Sequence, residues 1–438
     1  MNVAHYFLGF PPYRTGGLTT YAYNLAVNQA ERGDKVFCIW QGKCKKNFSI
    51  QSPKLVRKGL FSVEIQSNLL IPLTFGVKNP KEAYGSCSSD KFREFFKRES
   101  IEILYVHTLM GIFSEMLQAA KAQNIKIIYI THDYYGLCPK VFGFYSNKNC
   151  SFCNFEDCVR CNKNGLSRMS MHVLQSKLYR KIKDFKFVKN LRNIFKKKKK
   201  EKNVSSLETV CEADAENYES LQKYYLDCLN QFDKIFCNSY ISYKVFAEFV
   251  DKNKLQVIPI THNAITDNRE IHNYSGKKRK IIYLGPESVE KGFYRLLSIL
   301  DKYEDVYNFE LKVYGKDNFE QRKYLKYCGS YNYSQLGLIF ANADFLVVPS
   351  VWNETFGFVL LEAYSYGLPV LCSDTVGAGY LVDKNFIFGN NNFEEKLVLL
   401  MENKDILEKE NKRILEADLE YFFEREKYIE LIREYSKN

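Results

Sequence analysis

Two carboxylates separated by seven residues stand in Asn353-Glu-Thr-Phe-Gly-Phe-Val-Leu-Leu-Glu362, directly after the apolar run Val347-Val-Pro-Ser350. A helix starting near Gly357 would leave Glu354 in the loop before it and Glu362 one to two turns along, with the unpaired N–H groups of the helix start between them. Such a terminus attracts phosphate. A carboxylate beside it accepts hydrogen bonds from sugar hydroxyls, so the pair suits a sugar carried on a diphosphate. The spacing alone is common among unrelated surface glutamates. A second stretch supplies context: in Ile281-Ile-Tyr-Leu-Gly-Pro-Glu-Ser-Val-Glu-Lys-Gly292 a strand runs through Gly285 into a loop and then a lysine, Lys291, at a helix start. That places a cation and backbone donors on an anion.

A different chemistry is written in the thiols. Cys150-x2-Cys153-x4-Cys158-x2-Cys161, preceded by Cys138, puts five cysteines within 24 residues. Two C-x-x-C pairs match tetrahedral zinc spacing, and four thiolates would close the shell, so a structural zinc on Cys150, Cys153, Cys158 and Cys161 is expected. Cys138 can replace one of the four, and free thiols, redox thiols or an iron–sulfur cluster are the alternatives.

The charge also has an address. Residues 166–203 hold 14 Lys or Arg against Asp184 and Glu201, which equals the formal net charge of +12 of the whole chain. Leu174, Leu178, Ile182, Phe185, Val188, Leu191 and Phe195 recur every three or four positions, predicting one basic amphipathic helix over 174–195, and Lys196 to Lys200 follow it. Such a helix suits an anionic membrane surface contacted through 174–200. The alternatives are a packed helix with a solvated basic face, or nucleic acid, for which no aromatic-interleaved platform is present.

These residues need elements to hold them. The 438 residues are about three times the usual domain length, and 46% hydrophobic with 26% charged residues is ordinary globular usage. A mostly disordered or fibrous chain is thereby excluded. Residues 2–9 read as a strand, 11–17 as a Gly-containing loop, 18–32 as a helix and 35–40 as a second strand. Apolar runs at 103–107, 126–131, 234–238 and 255–259 continue the rhythm. A polar stretch at 266–279 reads as a linker, and strands restart at 280–284, 310–314, 343–348 and 369–372. The expectation is an α/β chain of two doubly wound domains, 1–265 and 280–410, with a helix over 411–438. Leu415, Leu419, Phe422, Ile429 and Ile432 are its candidate buried positions. No apolar run reaches membrane-spanning length, no leader peptide is apparent, and 13 cysteines without one suggest a reducing, cytoplasmic setting.

With the Glu354–Glu362 element, the Lys291 loop and Thr15-Gly-Gly17 taken together, the chain resembles the retaining GT-B glycosyltransferases of family 4 over nearly its whole length. The resemblance implies two Rossmann-like domains facing a cleft, with the last helix crossing back to the first domain. It implies Glu362 on the nucleotide ribose, Glu354 on the transferred sugar, the Gly357 and Phe358 amides near sugar or diphosphate, Lys291 on the diphosphate, and Gly16 and Gly17 on the phosphate and acceptor side. Gly285 would line the donor site. His132, in Ile130-Thr-His-Asp133, looks like the family histidine that contacts the donor sugar, and His132, Lys291 and Glu354 are the candidate catalytic residues. His107 is a weaker acceptor-side candidate, and His262 reads as an ordinary strand-end residue. Where relatives carry a second diphosphate cation, this chain has Pro286, and Arg14, Lys140 and Arg295 are possible substitutes.

The phrases Pro72-Leu-Thr-Phe-Gly76, His107-Thr-Leu-Met-Gly111 and Thr131-His-Asp-Tyr-Tyr-Gly-Leu-Cys-Pro139 look like the bacterial capsular and surface-polysaccharide subset. Implied is a glycosyltransferase that moves a sugar, with retention, from a nucleotide-diphosphate donor to a hydroxyl of a lipid-linked glycan. It would act at the cytoplasmic face of the cell membrane, without nucleic acid. No Asp-x-Asp pair occurs, and no catalytic metal is expected. The alternatives are another GT-B activity, an epimerase or a phosphorylase, and a zinc-bearing nucleic-acid-binding protein.

Overall fold

The computed structural model describes residues 1–11, 13–182, 185, 187, 212–315 and 321–437. The chain divides into two compact units, 1–145 with 150–236 and 246–256, and 146–149 with 237–245 and 257–438. The polar stretch 266–279 and the C-terminal helices fall within the second unit.

The first unit is built on a nine-stranded sheet. Its main strands are β1 (Asn2–Tyr6), β2 (Lys35–Cys44), β3 (Leu60–Ser67), β4 (Ile103–Val106), β5 (Lys126–Ile130), β6 (Lys234–Cys237) and β7 (Leu255–Val257), in the order β7-β6-β5-β4-β1-β2-β3. Pairings among β1 to β6 are parallel. The apolar runs that marked β4 and β5 are almost wholly buried, as strands covered on both faces must be. Order reverses at β1, which lies between β2 and β4, so the loops after β1 and β4 flank a topological switch point.

The second unit repeats the plan with β8 (Arg279–Leu284), β9 (Phe309–Tyr314), β10 (Leu325–Tyr327), β11 (Phe345–Val348), β12 (Val370–Ser373) and β13 (Ile387–Phe388). Their order is β10-β9-β8-β11-β12-β13, every pair parallel. Here the switch lies at β8, between β9 and β11. Both sheets carry the doubly wound α/β pattern expected from sequence.

Three expectations change. The helix predicted over 174–195 is not continuous: one helix ends at Gln175, Ser176 is extended (φ −66°, ψ 149°), and a second runs Lys177–Ile182. Ser176 breaks it because its hydroxyl donates to Val173 O at 2.7 Å and accepts from Tyr179 N at 3.1 Å, an alternative to the helical ladder. Val188, Leu191, Phe195 and Lys196 to Lys200 lie outside the described residues. The C-terminal segment is likewise three helices, Lys404–Glu416, Glu420–Phe423 and Arg425–Lys437. Within it Leu419, Phe422, Ile429 and Ile432 are buried, but Ile414 takes the core position assigned to Leu415. Finally, short antiparallel strands at Ser49–Ile50 and Lys54–Arg57 pair with β3 where no strand was expected.

Candidate functional site

In the second unit, the loops after β8, β11 and β12 come together at the carboxyl ends of their strands. Gly292 makes this approach possible. It sits at φ 68°, and a Cβ there would lie 1.7 Å from the Pro349 carbonyl oxygen, so a side chain would push the loop after β8 off the loop after β11. The β11 loop is pinned from its other side: Ser373 and Thr375 hydroxyls donate to Ser350 O at 2.6 and 2.7 Å, and Glu354 N donates to Thr375 O at 2.9 Å.

Lys291 and Glu354, 63 residues apart, meet within this frame with Lys291 Nζ 2.5 Å from Glu354 Oε1. The Ser350 hydroxyl donates to the other carboxylate oxygen, and the Lys291 ammonium lies 5.3 Å from the centroid of the Trp352 ring. Glu354 is buried and Lys291 keeps about a quarter of its side chain exposed, 24%. A cation held this way is oriented while one side remains accessible to an anion.

The helix expected near Gly357 runs Phe358–Tyr364, with Gly357 before it at φ 93°. Glu362 is 4% exposed. Its Oε1 lies 3.3 Å from His262 Nε2, and its Oε2 is buried with no hydrogen-bond partner among the described residues. The tautomer of His262 follows from its other nitrogen. Ala264 N–H donates to Nδ1 at 3.3 Å, so Nε2 carries the proton and donates to the carboxylate. The His262 ring is fixed against Phe358 and Tyr333, at centroid distances of 4.9 and 5.0 Å. One oxygen of Glu362 is thus oriented by protein and the other is an unused acceptor, and a buried acceptor left empty is costly unless a ligand fills it.

Sequence reasoning missed His262, Ser350 and Trp352. Ser350 and Trp352 flank the recognised element, and that adjacency was their signal. His262 carried none, because its partner lies 100 residues away. Of the proposed substitute cations, Arg295 donates to Asn390 O at 2.6 Å and lies over Phe388 and Phe393, and Lys140 donates to Cys161 O. Gly285 follows β8 directly and donates its N–H to Tyr314 O at 3.0 Å.

In the first unit, Gly16 (φ 113°) precedes the helix Gly17–Glu31, and a Cβ there would meet nothing within 4 Å. His132, just after β5, does not stand alone. Its Nε2 lies 3.4 Å from Nδ1 of His107, which follows β4, and His107 Nε2 lies 3.0 Å from Nδ1 of His5 in β1. Burial pushes His5 down to about 4 and His132 to about 3, and it takes His107 well below the usual imidazole range, so all three are neutral at pH 7.

The cysteines of the 138–161 loop sit in different surroundings. Cys158 and Cys161 lie on the helix Phe155–Asn162, Cys138 is buried, Cys150 is partly buried and Cys153 is exposed. The Cys158 thiol is pushed up by burial and then by its neighbours Cys138, Cys161 and Cys150. Among the described residues, no group of three or more His, Cys, Asp or Glu is arranged to hold a metal ion.

Comparison with known proteins agrees with this architecture. Residues 15–152 match the model of Glycosyltransferase Family 4, and residues 264–417 match that of Glycosyl transferases group 1. A 41.2 kDa uncharacterized protein of the cps region of Klebsiella pneumoniae is 29% identical over 194 residues, which span 40% of this chain and 53% of that protein. The match therefore covers about half the length of that relative. Among solved structures, sucrose-phosphate synthase of Thermosynechococcus elongatus matches with a TM-score of 0.60 at 12% identity, covering 100% of this chain and 98% of that one. Anabaena HepE in complex with UDP and glucose matches with a TM-score of 0.56 at 14% identity, covering 100% and 99%. At such identities the likeness is one of fold. The fold is GT-B, with glycosyltransferase-type domains in both halves of the chain.

Proposed function

We propose that this chain, built on the GT-B fold, is a retaining glycosyltransferase that moves a sugar from a nucleotide-diphosphate donor to a hydroxyl of a surface-polysaccharide glycan. The observation that carries the reading is Glu362: a buried carboxylate with one oxygen held by His262 and the other unfilled, beside the Lys291–Glu354 pair at the switch point of a parallel sheet. A ribose diol supplies the missing donors to Glu362 Oε2. The diphosphate supplies the anion for Lys291, whose ammonium Glu354 and Trp352 hold in place. Attack by an acceptor hydroxyl on the anomeric carbon breaks the bond to the diphosphate, whose departing oxygen takes the hydroxyl proton, and Lys291 with the surrounding backbone N–H groups stabilises the charge that develops on the leaving group.

The relative in a cps region supports a role in capsule-type polysaccharide, and the HepE complex supports a nucleotide-sugar donor. A membrane-bound acceptor is supported by the side chains around 169–187. Met169, Leu178 and Phe185 are 78%, 69% and 63% exposed, within the segment that carries the net positive charge. Among the described residues no helix is long and apolar enough to cross a membrane, so this reading places contact at the surface.

The test is incubation with a panel of nucleotide sugars and a lipid-extract acceptor, with products read by mass spectrometry and the anomeric configuration by NMR. A new glycan of retained configuration supports the reading. Conversion of the donor without acceptor would establish an epimerase, and dependence on free phosphate a phosphorylase.

A further inference from the structure

The loop 72–76, a few residues beyond β3, has no part in the roles above, and the segment 162–175 of the same unit pins it at both ends. On the near side, Gln175 is buried and its Nε2 donates to Ile71 O at 3.3 Å. On the far side, Val77 donates its N–H to Asn162 Oδ1 at 2.9 Å and forms a β-bridge with Leu166. Gly76, at φ 79°, permits so close a passage, since a Cβ there would collide with Asn162 Oδ1. Between the pins Leu73 holds a left-handed backbone, φ 52°, which a leucine adopts only where its surroundings impose it. Leu69, Leu70 and Ile71 are buried, whereas Thr74 and Phe75 turn outward, Phe75 with 39% exposure.

The pinning helix, Arg168–Gln175, has two faces. Met171 and Gln175, one turn apart, are buried, and Met169 and Val173, also one turn apart, are exposed. His172 Nε2 lies 3.6 Å from Sγ of Cys44, the last residue of β2, so the helix lies at the carboxyl end of the sheet. The loop belongs to the same end. Leu69 N–H donates to Ser67 Oγ, Ser67 Oγ to Gln41 Oε1 and Gln41 Nε2 to Gly111 O just past β4, at 3.2, 3.0 and 2.7 Å. Lys78 and Lys81 stand exposed beside it. Apolar side chains in water and cations are thereby gathered at one end of a parallel sheet. Leu55 is also exposed, 68%, between Lys54 and Arg57, yet it pairs with Phe61 at the amino end of β3. That is about 20 Å from Ser67 at the usual rise of a strand.

We propose that the carboxyl end of the first unit's sheet is the face that rests on an anionic phospholipid surface, with Phe75 entering the lipid beside Met169 and Val173, and Lys78 and Lys81 on the lipid phosphates. Apolar insertion and cations act together in such binding. The inference rests on the surface-contact reading above and deepens it: that reading supplies the lipid, and the pinned loop supplies the orientation. The switch point at β1 then opens toward the surface on which a lipid-carried acceptor presents its glycan.

The experiment puts a fluorophore at each end of the sheet. Phe75→Trp and Leu55→Trp are made in the full chain and read as difference emission against the wild type, whose own tryptophans are Trp40 and Trp352. The probes are vesicles of phosphatidylcholine alone and of phosphatidylcholine with phosphatidylglycerol. With the anionic vesicles, Phe75→Trp emission should move to shorter wavelength and be quenched by brominated acyl chains, and Leu55→Trp emission should do neither. Salt should reverse the shift. Phe75→Ser should weaken binding to the anionic vesicles about ten-fold, with thermal unfolding unchanged. Vesicles that bind the protein but leave Phe75→Trp unmoved, or that also shift Leu55→Trp, overturn the orientation and leave surface contact standing. No binding of the wild type to either vesicle overturns both. A Phe75→Trp shift that grows with protein concentration in the absence of lipid assigns the face to a second copy of the chain and overturns the lipid assignment. Should Phe75→Trp fail to fold, hydrogen–deuterium exchange of the wild type decides: vesicle binding should protect 72–78 and leave 53–58 unchanged, and unprotected 72–78 overturns the proposal.

Discussion

Replacing Glu362 by Gln changes a single oxygen into an N–H₂ group at nearly constant volume, and the structure fixes which oxygen matters. The side-chain carbonyl can keep the His262 Nε2–H bond now made at 3.3 Å, leaving the amide nitrogen where Oε2 is buried and unpartnered. A ribose hydroxyl that donates to the carboxylate then faces a donor. Losing a hydrogen bond to a charged group costs about 1.5 to 3 kcal/mol, and at 1.4 kcal/mol per decade this predicts nucleotide diphosphate binding weaker by roughly 10- to 100-fold. Stability should move the other way or not at all, because the substitution removes a buried, unfilled charged acceptor. Isothermal calorimetry with whichever of UDP, GDP or ADP the wild type binds gives the affinity, and thermal unfolding gives the stability. A folded Glu362→Gln variant that binds the nucleotide within two-fold of wild type would refute the assignment of Oε2 to the ribose. A variant that loses affinity and stability together would show that Glu362 serves the fold through His262.

Lys291→Ala should lower kcat by about 10²-fold or more, since a cation aimed at developing charge is removed, and steady-state rates at saturating donor check this; near-normal turnover would place the leaving-group cation elsewhere. Liposome co-sedimentation should show binding to anionic vesicles that weakens with salt and falls when Met169, Leu178 and Phe185 become Ser; equal recovery in the supernatant with anionic and neutral vesicles would remove the surface-contact reading. For the cysteine loop, timed alkylation read by peptide mass spectrometry should label exposed Cys153 well before Cys158, whose thiol burial pushes up. Equal and strong protection of Cys150, Cys153, Cys158 and Cys161 would instead point to a closed four-thiolate shell.

What the sequence disclosed follows from how each feature is encoded. β4, β5 and β11 were legible because strands buried on both faces need unbroken apolar runs. Lys54–Arg57 was not, because all four of its residues are exposed and the strand exists only through pairing with β3. Ser176 was read past because periodicity averages over neighbours, whereas a hydroxyl that bonds its own backbone acts at one position.

The site divides in the same way. Glu354, Gly357 and Glu362 share one short segment, so spacing alone could nominate them. The partners that give these groups their chemistry come from other strands. Lys291 reaches Glu354 because β8 lies beside β11, and His5 reaches His107 because β1 lies beside β4 although helices and strands intervene along the chain. Parallel crossover topology places adjacent loop ends far apart in sequence, so a local motif names the group that meets the substrate and leaves unnamed the group that orients it. For Glu362 the orienting group is His262. Substitutions at such orienting positions should therefore alter donor binding without touching the donor.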